Sequence, residues 1–591
     1  MDHTTSQSAR TTTAIRLGTG LLQGLALFLL HQAQEAKVWP ATQPLAFAPL
    51  VLVALFAPFV VLAGIGALRR NSLIVWALGA AAFAAGLASY GAWQGVDADK
   101  MPDFPVFAAI AAGLFIAHHL IQPAEAERRV VAHYPAYFDI TWMHGVQLAL
   151  SAAFTGAFWI LLFLGASLFK LIGIEAFQKL IAEEAFAFPA TTVMFAAAVQ
   201  LTDVRSTLVR GVRTVALTLL AWLLPLMTLI AAAFLASLPF TGLEPLWKTK
   251  AATALLLTAA AHLIVLINAA YQDGEDAPPV VLKWAARIAG LLLVPISLLA
   301  AYGLALRIGQ YGLTPERVFA AAFVVVAMGY AVGYTIAAVR PGAWMKALER
   351  TNIVQAFVAI ALILALFTPI ADPARLSVQD QVGRLERGKV KAEAFDFQFL
   401  RFDSGRYGKA ALEKLKASQD AAIASRAKTV AAQATKIAPV IEKIDLSKLA
   451  VYPAGRALPE SFLRQDWRDD SGSGCIGQGS QCQALLLDVN ADGKDEVLLA
   501  GGASFDVFSF DGARWRKTAE TPYVCDTVDL AAALKAGTVL LAEPTPRRDI
   551  LVGGRRLFLV PAGDGCASAE SKSDRPKGPP VAPSPLSNAA F

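Results

Sequence analysis

The chain is expected to form an α-helical polytopic membrane bundle of about eleven transmembrane helices, followed by a C-terminal α+β soluble domain with short antiparallel hairpins. Three observations carry this expectation. Hydrophobic residues make up 56% of the 591-residue chain and charged ones only 17%, with a mean hydropathy of +0.50, a balance that excludes an ordinary water-soluble enzyme. Of the 98 Asp, Glu, Lys and Arg residues, 40 fall in residues 1–370 and 58 in the last 221, so two solvents are implied. All four cysteines, Cys475, Cys482, Cys525 and Cys566, lie in the charged part. The length therefore does not signify four globular domains.

Residues 1–13 read as an N-terminal tail and 14–371 as the bundle. Apolar runs near the ~20 residues that a spanning helix needs cover about 14–31, 46–68, 73–93, 104–121, 147–169, 187–202, 214–238, 251–271, 285–306, 317–339 and 352–371. The basic start at Arg10 and Arg16 leads into Gly18, Gly20 and Gly24 without a small-residue cleavage site, so the first span is expected to stay in place. Residues 372–452 read as a helical segment, 453–566 as a small disulfide-linked β-rich domain, and 567–591, rich in Ser, Pro and Lys, as a disordered tail.

Loop charges set an expected orientation. With the N-terminus inside, thirteen Lys and Arg lie in inner segments and eight in outer ones, which favours a cytoplasmic N-terminus. An odd number of spans then places the tail outside, where its cysteines can oxidise. The compartment implied is a bacterial inner membrane, with the C-terminal domain in the periplasm. Four cysteines allow three pairings, of which the short gap Cys475-Ile-Gly-Gln-Gly-Ser-Gln-Cys482 favours a local bridge that leaves Cys525 to join Cys566.

Polar residues within the spans are few. His118 and His119 end the fourth, Gln200 ends the sixth, and His262 and Asn268 lie on the eighth, six residues apart and so on different faces. Such groups mark either a pathway or a packed interface; near span ends, water or headgroups can reach them. Arg287, one turn inside a helix end, can snorkel. No span carries a central Asp or Glu, which disfavours ion-coupled transport but not transport of a lipid or uncharged solute. Gly20-Leu-Leu-Gln-Gly24 and Gly329-Tyr-Ala-Val-Gly333 are small-x-x-x-small patterns that permit close helix contact. Gly18-Thr-Gly20-Leu-Leu-Gln-Gly24 lacks the spacing and the preceding strand of a dinucleotide loop. Thr314-Pro315-Glu316-Arg317 is a helix start, with a capping Thr before Pro.

Several separated motifs occur in a familiar order: Gly20-Leu-Leu-Gln-Gly-Leu-Ala-Leu, Val38-Trp-Pro-Ala-Thr42, Tyr134-Pro-Ala-Tyr-Phe-Asp139 with Trp142 and Gln147, Arg307-Ile-Gly-Gln-Tyr-Gly-Leu-Thr-Pro-Glu-Arg317, Leu376-Ser-Val-Gln-Asp-Gln381, Phe395-Asp396 and Leu400-Arg-Phe-Asp-Ser-Gly-Arg-Tyr-Gly408. Over roughly residues 14–416 the chain resembles the bacterial domain-of-unknown-function family 4153 of polytopic membrane proteins. The resemblance implies placement in the inner membrane of a Gram-negative type cell. It carries no catalytic residue with it and stops before the cysteine-bearing tail.

In the tail, Leu412, Leu415, Ala422 and Ile423 recur at roughly helical spacing between Lys409 and Lys436. Beyond Pro453 the pattern turns to strands. Ala484–Leu487 and Glu496–Ala500 flank a polar loop, Phe505–Phe510 alternates ahead of Asp511-Gly512, and Asp549–Val552 meets Arg555–Val560 across Gly553-Gly554. The polar loop reads Asp488-Val-Asn490-Ala-Asp492-Gly493-Lys494-Asp495-Glu496. Oxygens of Asp488, Asn490 and Asp492, the Lys494 carbonyl and the Glu496 carboxylate can converge on one hard cation, because glycine at the sixth position lets the chain turn sharply. Position 12 is Leu499 rather than the bidentate Glu of an EF-hand, and the pattern resembles instead the calcium loops between strands of integrin-type propeller repeats. Two readings stand here, a calcium site or a turn closed by its own side chains. A single such loop argues for one small sheet rather than a propeller.

Three functions are compatible with the sequence. The first is a non-enzymatic envelope protein whose polytopic anchor carries a periplasmic calcium-binding-like module that senses a ligand or contacts a periplasmic protein, the cell wall or a small molecule. The second is a transporter or flippase for a lipid or small solute, because about eleven spans exceed what an anchor needs. The third, a membrane-embedded transferase, would use Asp139, His144, Arg307 or Glu316, but the loops expected to hold them lie on opposite faces. The seven histidines all precede residue 263, which removes histidine-based catalysis and zinc binding from the tail. No P-loop, H-E-x-x-H or G-x-S-x-G is present, and a net charge of +6 without a basic, aromatic-interleaved run gives no case for nucleic acid.

Overall fold

The computed structural model describes residues 2–95, 103–249, 251–433, 435–436, 446, 449–465, 467, 475, 482–501, 504–521, 530–539, 550–552 and 555–557. The chain divides into two compact units, Met1–Ala434 and Thr435–Phe591. In the first, the helices are α1 (Asp2–Glu35), α2 (Pro44–Gly64), α3 (Arg70–Gln94), α4 (Phe104–Ala126), α5 (Tyr134–Leu171), α6 (Ala176–Ala182), α7 (Glu184–Val204), α8 (Ser206–Thr241), α9 (Glu244–Lys248), α10 (Ala252–Tyr271), α11 (Val280–Tyr311), α12 (Pro315–Val339), α13 (Ala347–Leu366), α14 (Pro373–Glu386), α15 (Gly405–Leu415) and α16 (Ala421–Ala431). Eleven of them, α1 from Arg10, α2–α5, α7, α8 and α10–α13, are long and apolar enough to cross a membrane. Leu161, Leu226, Leu229 and Phe323 stand exposed on these helices, which water would not tolerate in such number and lipid would.

Among the described residues, two larger apolar cores and a small one between α2 and α7 hold the bundle. One joins α8, α10, α11, α12 and the start of α5 around Leu224, Leu263, Ile267, Leu293 and Tyr334. The other joins α2, α3 and α4 around Leu52, Ala84 and Ile110. Small residues work here as their spacing suggests. A side chain at Gly20 or Gly24 of α1 would strike the Thr192 carbonyl or Pro189 of α7, and one at Gly329 or Gly333 of α12 would strike Gln355 or Thr351 of α13. Thr314 caps α12 as expected, its hydroxyl accepting from Arg317 N.

The spans run longer than their apolar cores. The fifth begins at Tyr134 rather than near 147, because Pro135 sits at its first turn and the polar residues between are carried inside the helix. Asp139 and His144 are therefore helical and not in a loop, and Arg307 likewise belongs to α11.

Past the last span, α14 is capped by Asp372, and α14–α16 close their own core around Leu400, Leu412, Leu415 and Ile423. Buried Asp372 also accepts from Tyr90 Oη (2.8 Å) and Gln94 Nε2 (2.7 Å) at the end of α3. Gln381 and Arg384 of α14 donate to carbonyls of Gln310 and Tyr311 at the end of α11 and of Leu313 in the turn to α12, and Leu313 N donates to Asp380. The helical segment after the membrane is thus locked to one end of the bundle.

The second unit holds a five-stranded sheet in order β1-β2-β3-β4-β5: β1 (Ala450–Tyr452), β2 (Gln483–Leu487), β3 (Glu496–Gly501), β4 (Ser504–Phe510) and β5 (Trp515–Glu520). The β2/β3 and β4/β5 hairpins follow the expected pattern. β1, however, pairs parallel to β2 and begins ahead of Pro453, so the sheet is mixed. Ala484, Leu486, Val497 and Leu499 face a core with Phe462, Trp467 and Trp515. The opposite face, with Leu485 and Leu498, is covered by Leu534 of α18 (Leu530–Ala536), the short α17 (Glu460–Arg464) lying with the first core. Burial on both faces is why Ala484–Leu487 is continuously apolar rather than alternating. A two-stranded hairpin, β6 (Ile550–Val552) with β7 (Arg555–Leu557), completes the described strands. Cys475 and Cys482 are disulfide-bonded. Cys525, Cys566 and the tail from 567 lie outside the described residues.

Candidate functional site

Among the polar clusters that the described residues form inside the bundle, two adjoin each other toward the face at which α1 begins. The first is a closed ring from four helices: Tyr134 (α5), Asn268 (α10), Tyr334 (α12) and Asn352 (α13). Asn352 Nδ2 donates to Asn268 Oδ1 (2.6 Å) and Tyr134 Oη (3.0 Å), and Tyr334 Oη donates to Asn352 Oδ1 (2.7 Å). Asn268 Nδ2 donates to Tyr334 Oη (2.7 Å) and to the Ile264 carbonyl (2.8 Å), while Tyr134 Oη donates to Asn268 Oδ1 (3.2 Å). Every N–H and O–H of the four side chains is used. All four lie within about two turns, ~9 Å, of their helix ends.

The second cluster joins α4 and α5 a turn deeper. His118 and His119 are only 4% and 6% exposed, so the expectation that water reaches them at a span end is corrected. His144, placed on α5 by its early start, approaches both, with ring centroids 5.7 and 5.0 Å away. Donor identities fix the tautomers. Trp76 Nε1 can only donate, so His118 Nδ1 accepts (3.1 Å) and His118 Nε2 donates to Gln122 Oε1 (2.9 Å). The Phe115 carbonyl can only accept, so His119 Nδ1 donates to it (2.7 Å) and His119 Nε2 accepts from His144 Nδ1 (3.0 Å). His144 Nε2 is left as an acceptor without a partner among the described residues.

The relay borders a cleft of about 350 Å³ lined by Phe56, Phe107, Leu114, His144, Gln147 and Leu148, among other apolar residues. A second cleft of about 370 Å³ is lined by Trp142, Tyr330 and three members of the ring, Tyr134, Asn268 and Asn352. Phe115 and His119 line both, so the two adjoin. Such a space suits an apolar body and one or two hydrogen-bonding groups. The three histidines do not form a metal cage, since two of their acceptor nitrogens are already engaged; among the described residues no three His, Cys, Asp or Glu side chains are placed to hold a metal ion.

The remaining sequence candidates fall elsewhere. Gln200 accepts from Arg16 Nη1 (2.7 Å), which also pairs with Asp203 (2.8 Å) and, through its other nitrogens, with the Leu62 and Ile65 carbonyls at the end of α2. That buried arginine fastens α1, α2 and α7. His262 is exposed on the outer face of α10 and bonds its own helix at Thr258, separated from Asn268 as their spacing requires. Asp139 pairs with Arg213 of α8 (2.6 Å). Arg307 donates to the Trp247 carbonyl (3.0 Å). Sequence reasoning missed Tyr134, Tyr334 and Asn352; an amide within six residues of a span's start was the available signal for the last.

A family described as Domain of unknown function (DUF4153) matches residues 47–415. The chain belongs to it. The DUF4153 match takes in the ring, the histidine relay and both clefts, and runs through α15; Arg16 and the motifs before residue 47 precede it, and the sheet-bearing unit follows it. No curated protein and no solved structure matches the chain.

In the second unit the loop between β2 and β3 is tightly self-bonded. Asp488 accepts from Asp492 N (3.1 Å) and Gly493 N (2.8 Å), Asn490 Oδ1 from Asp492 N (2.9 Å), and Asp492 from Lys494 N (2.8 Å). Glu496, 4% exposed, accepts from Val489 N (2.8 Å) and Asn490 Nδ2 (2.7 Å). Gly493 has φ +82°, the sharp turn the motif requires. Each Asp488 oxygen holds one amide and so keeps a further lone pair, and these donors suit a hard cation. Asp495, beside the loop, is paired with Arg456 (2.5 Å).

Proposed function

We propose that the bundle binds an apolar molecule with a hydrogen-bond-donating head, a lipid or a solute of lipid-like character, and passes it between leaflets or across the membrane. The observation that carries this reading is His144, which lines an apolar cleft while its Nε2 is left an acceptor without a partner among the described residues. A donor on the ligand would find His144 oriented through His119 to the Phe115 carbonyl, and the ring in the adjoining cleft would bound the head from the other side. An anchor alone needs neither feature. The test uses the full chain in nanodiscs with a photoreactive monoacylglycerol. Crosslinks are expected on the peptides carrying Phe115–His119 and Trp142–Leu148, and Leu148→Trp, which fills the cleft, should remove them. Crosslinks spread evenly over lipid-facing positions such as Ile160 and Leu226 would refute the proposal.

The anchor reading is supported by a different observation, the docking of α14 onto the bundle through Asp372, Asp380, Gln381 and Arg384. On this reading the C-terminal unit is a periplasmic sensing or interaction module stiffened by calcium at Asp488, Asn490, Asp492, Lys494 and Glu496, reached by a periplasmic protein, the cell wall or a small molecule. The Cys475–Cys482 bridge supports an oxidising compartment. The loop charges support a cytoplasmic N-terminus, and the cysteine placement and family resemblance support a bacterial inner membrane. A reporter active only in the periplasm should work when fused after Phe591 and fail after Arg70; the reverse would overturn the orientation. The full chain should melt several degrees higher with calcium than with chelator, and Asp488→Ala should erase the difference.

A further inference from the structure

A cleft of about 790 Å³ lies between α12 and α13 and the turn that joins them, at the same face of the bundle but apart from the two clefts described above. Gly329 and Gly333 let the helices meet closely at its floor. Val332, Ile336 and Val354, all about half exposed, form its lipid-facing wall. Its rim carries three cations, Arg340, Lys346 and Arg350. Lys346 is paired with Glu349 (2.7 Å), whereas Arg340 and Arg350 make no ion pair among the described residues. Gln355, 7% exposed, lines the cleft ~7.5 Å deeper along α13 than Arg350.

We propose that this crevice binds one anionic phospholipid. Arg340 and Arg350 hold the phosphate with Lys346 beside them, Gln355 meets the glycerol ester carbonyls, and an acyl chain lies along Val332, Ile336 and Val354. Charge complementarity selects an anion, and an apolar wall continuous with the lipid-facing surface selects one that carries a hydrocarbon chain, so a free phosphate would use only half the site. Loop arginines that merely orient a membrane protein need no crevice between them.

The experiment is native mass spectrometry of the full chain after exposure to mixed micelles of phosphatidylglycerol and phosphatidylethanolamine. The wild type should retain phosphatidylglycerol preferentially, and Arg340→Gln with Arg350→Gln should lower its retention about ten-fold. Arg205→Gln with Arg210→Gln, exposed cations at the same face outside the crevice, should leave it nearly unchanged. Val332→Trp, which keeps the cations and fills the apolar wall, should also lower it. Equal retention of the two lipids, equal losses in both arginine double variants, undiminished retention in Val332→Trp, or displacement of the lipid by millimolar inorganic phosphate would each overturn the proposal.

Discussion

The tyrosine–asparagine ring and the histidine relay lie a few residues apart in the same bundle, yet they settle their hydrogen bonds in opposite ways. In the ring, all six donor hydrogens find acceptors across four helices and no donor is left over. In the relay, a carbonyl and an indole fix the direction of every bond, and His144, which lines a cleft, keeps an acceptor without a partner among the described residues. The difference teaches how to read polar groups in a lipid-solvated bundle, where water cannot repair an omission. A closed network joins helices; the acceptor an open one leaves is what the proposed ligand would use.

Asn352→Leu should break the comparison most visibly. It leaves Tyr134, Asn268 and Tyr334 short of partners at once, and thermal unfolding of the full chain in detergent should show a loss of about 2 kcal/mol, given the modest worth of single interhelical bonds. Tyr334→Phe removes one donor from the same ring and should cost about 1 kcal/mol, because Asn352 Oδ1 alone loses its donor while Asn268 Nδ2 loses an acceptor. Should both variants melt like wild type, the ring is no lock.

His144→Leu should behave differently. It takes one bond from His119, so melting should fall by less than about 1 kcal/mol, while crosslinking of the photoreactive monoacylglycerol to the cleft is lost. A large drop in stability with crosslinking retained would place the relay beside the ring as a packing device.

The smallest effect is expected where water solvates the same kind of bond. Asp511, exposed in the β4/β5 hairpin, accepts from Arg514 N and Ala513 N, and these amides hold its carboxyl below the usual carboxylate range. A depressed folded value stabilises above the unfolded one, near 3.8, and the contribution disappears as pH falls through the folded value. Asp511→Asn, which keeps the acceptor and removes the charge, should change melting little at neutral pH and should flatten the loss seen in strong acid. Lys517 runs the opposite way: Asp506 and Glu520 raise it above 10.5, so its share is present at neutral pH and lost only as strong alkali titrates it.

Much of the architecture was legible. The spans announced themselves by length and composition, and the glycine pairs at 20/24 and 329/333 marked close helix contacts because a missing Cβ has few other uses there. The hairpins followed from Asp-Gly and from apolar runs broken by a polar loop. Individual histidines were visible, but their partnership was not, since His119 and His144 are separated by a turn that apolar counting assigned to water. Tyr134 fell outside the apolar run of its span and Asn352 at the very edge of its own for the same reason: a hydropathy window ends where apolar residues end, whereas a helix ends where its backbone bonds do.

The sequence by itself determined that this chain is a multi-pass membrane protein with a charged, strand-bearing C-terminal part, because burial in lipid and exposure to water demand different compositions over long stretches. Tertiary structure alone decided which polar side chains meet. Hydrogen bonds act over about 3 Å and join residues as far apart as Tyr134 and Asn352. Their pairing depends on the rotation and register of each helix against its neighbours, and neither is written in any one segment.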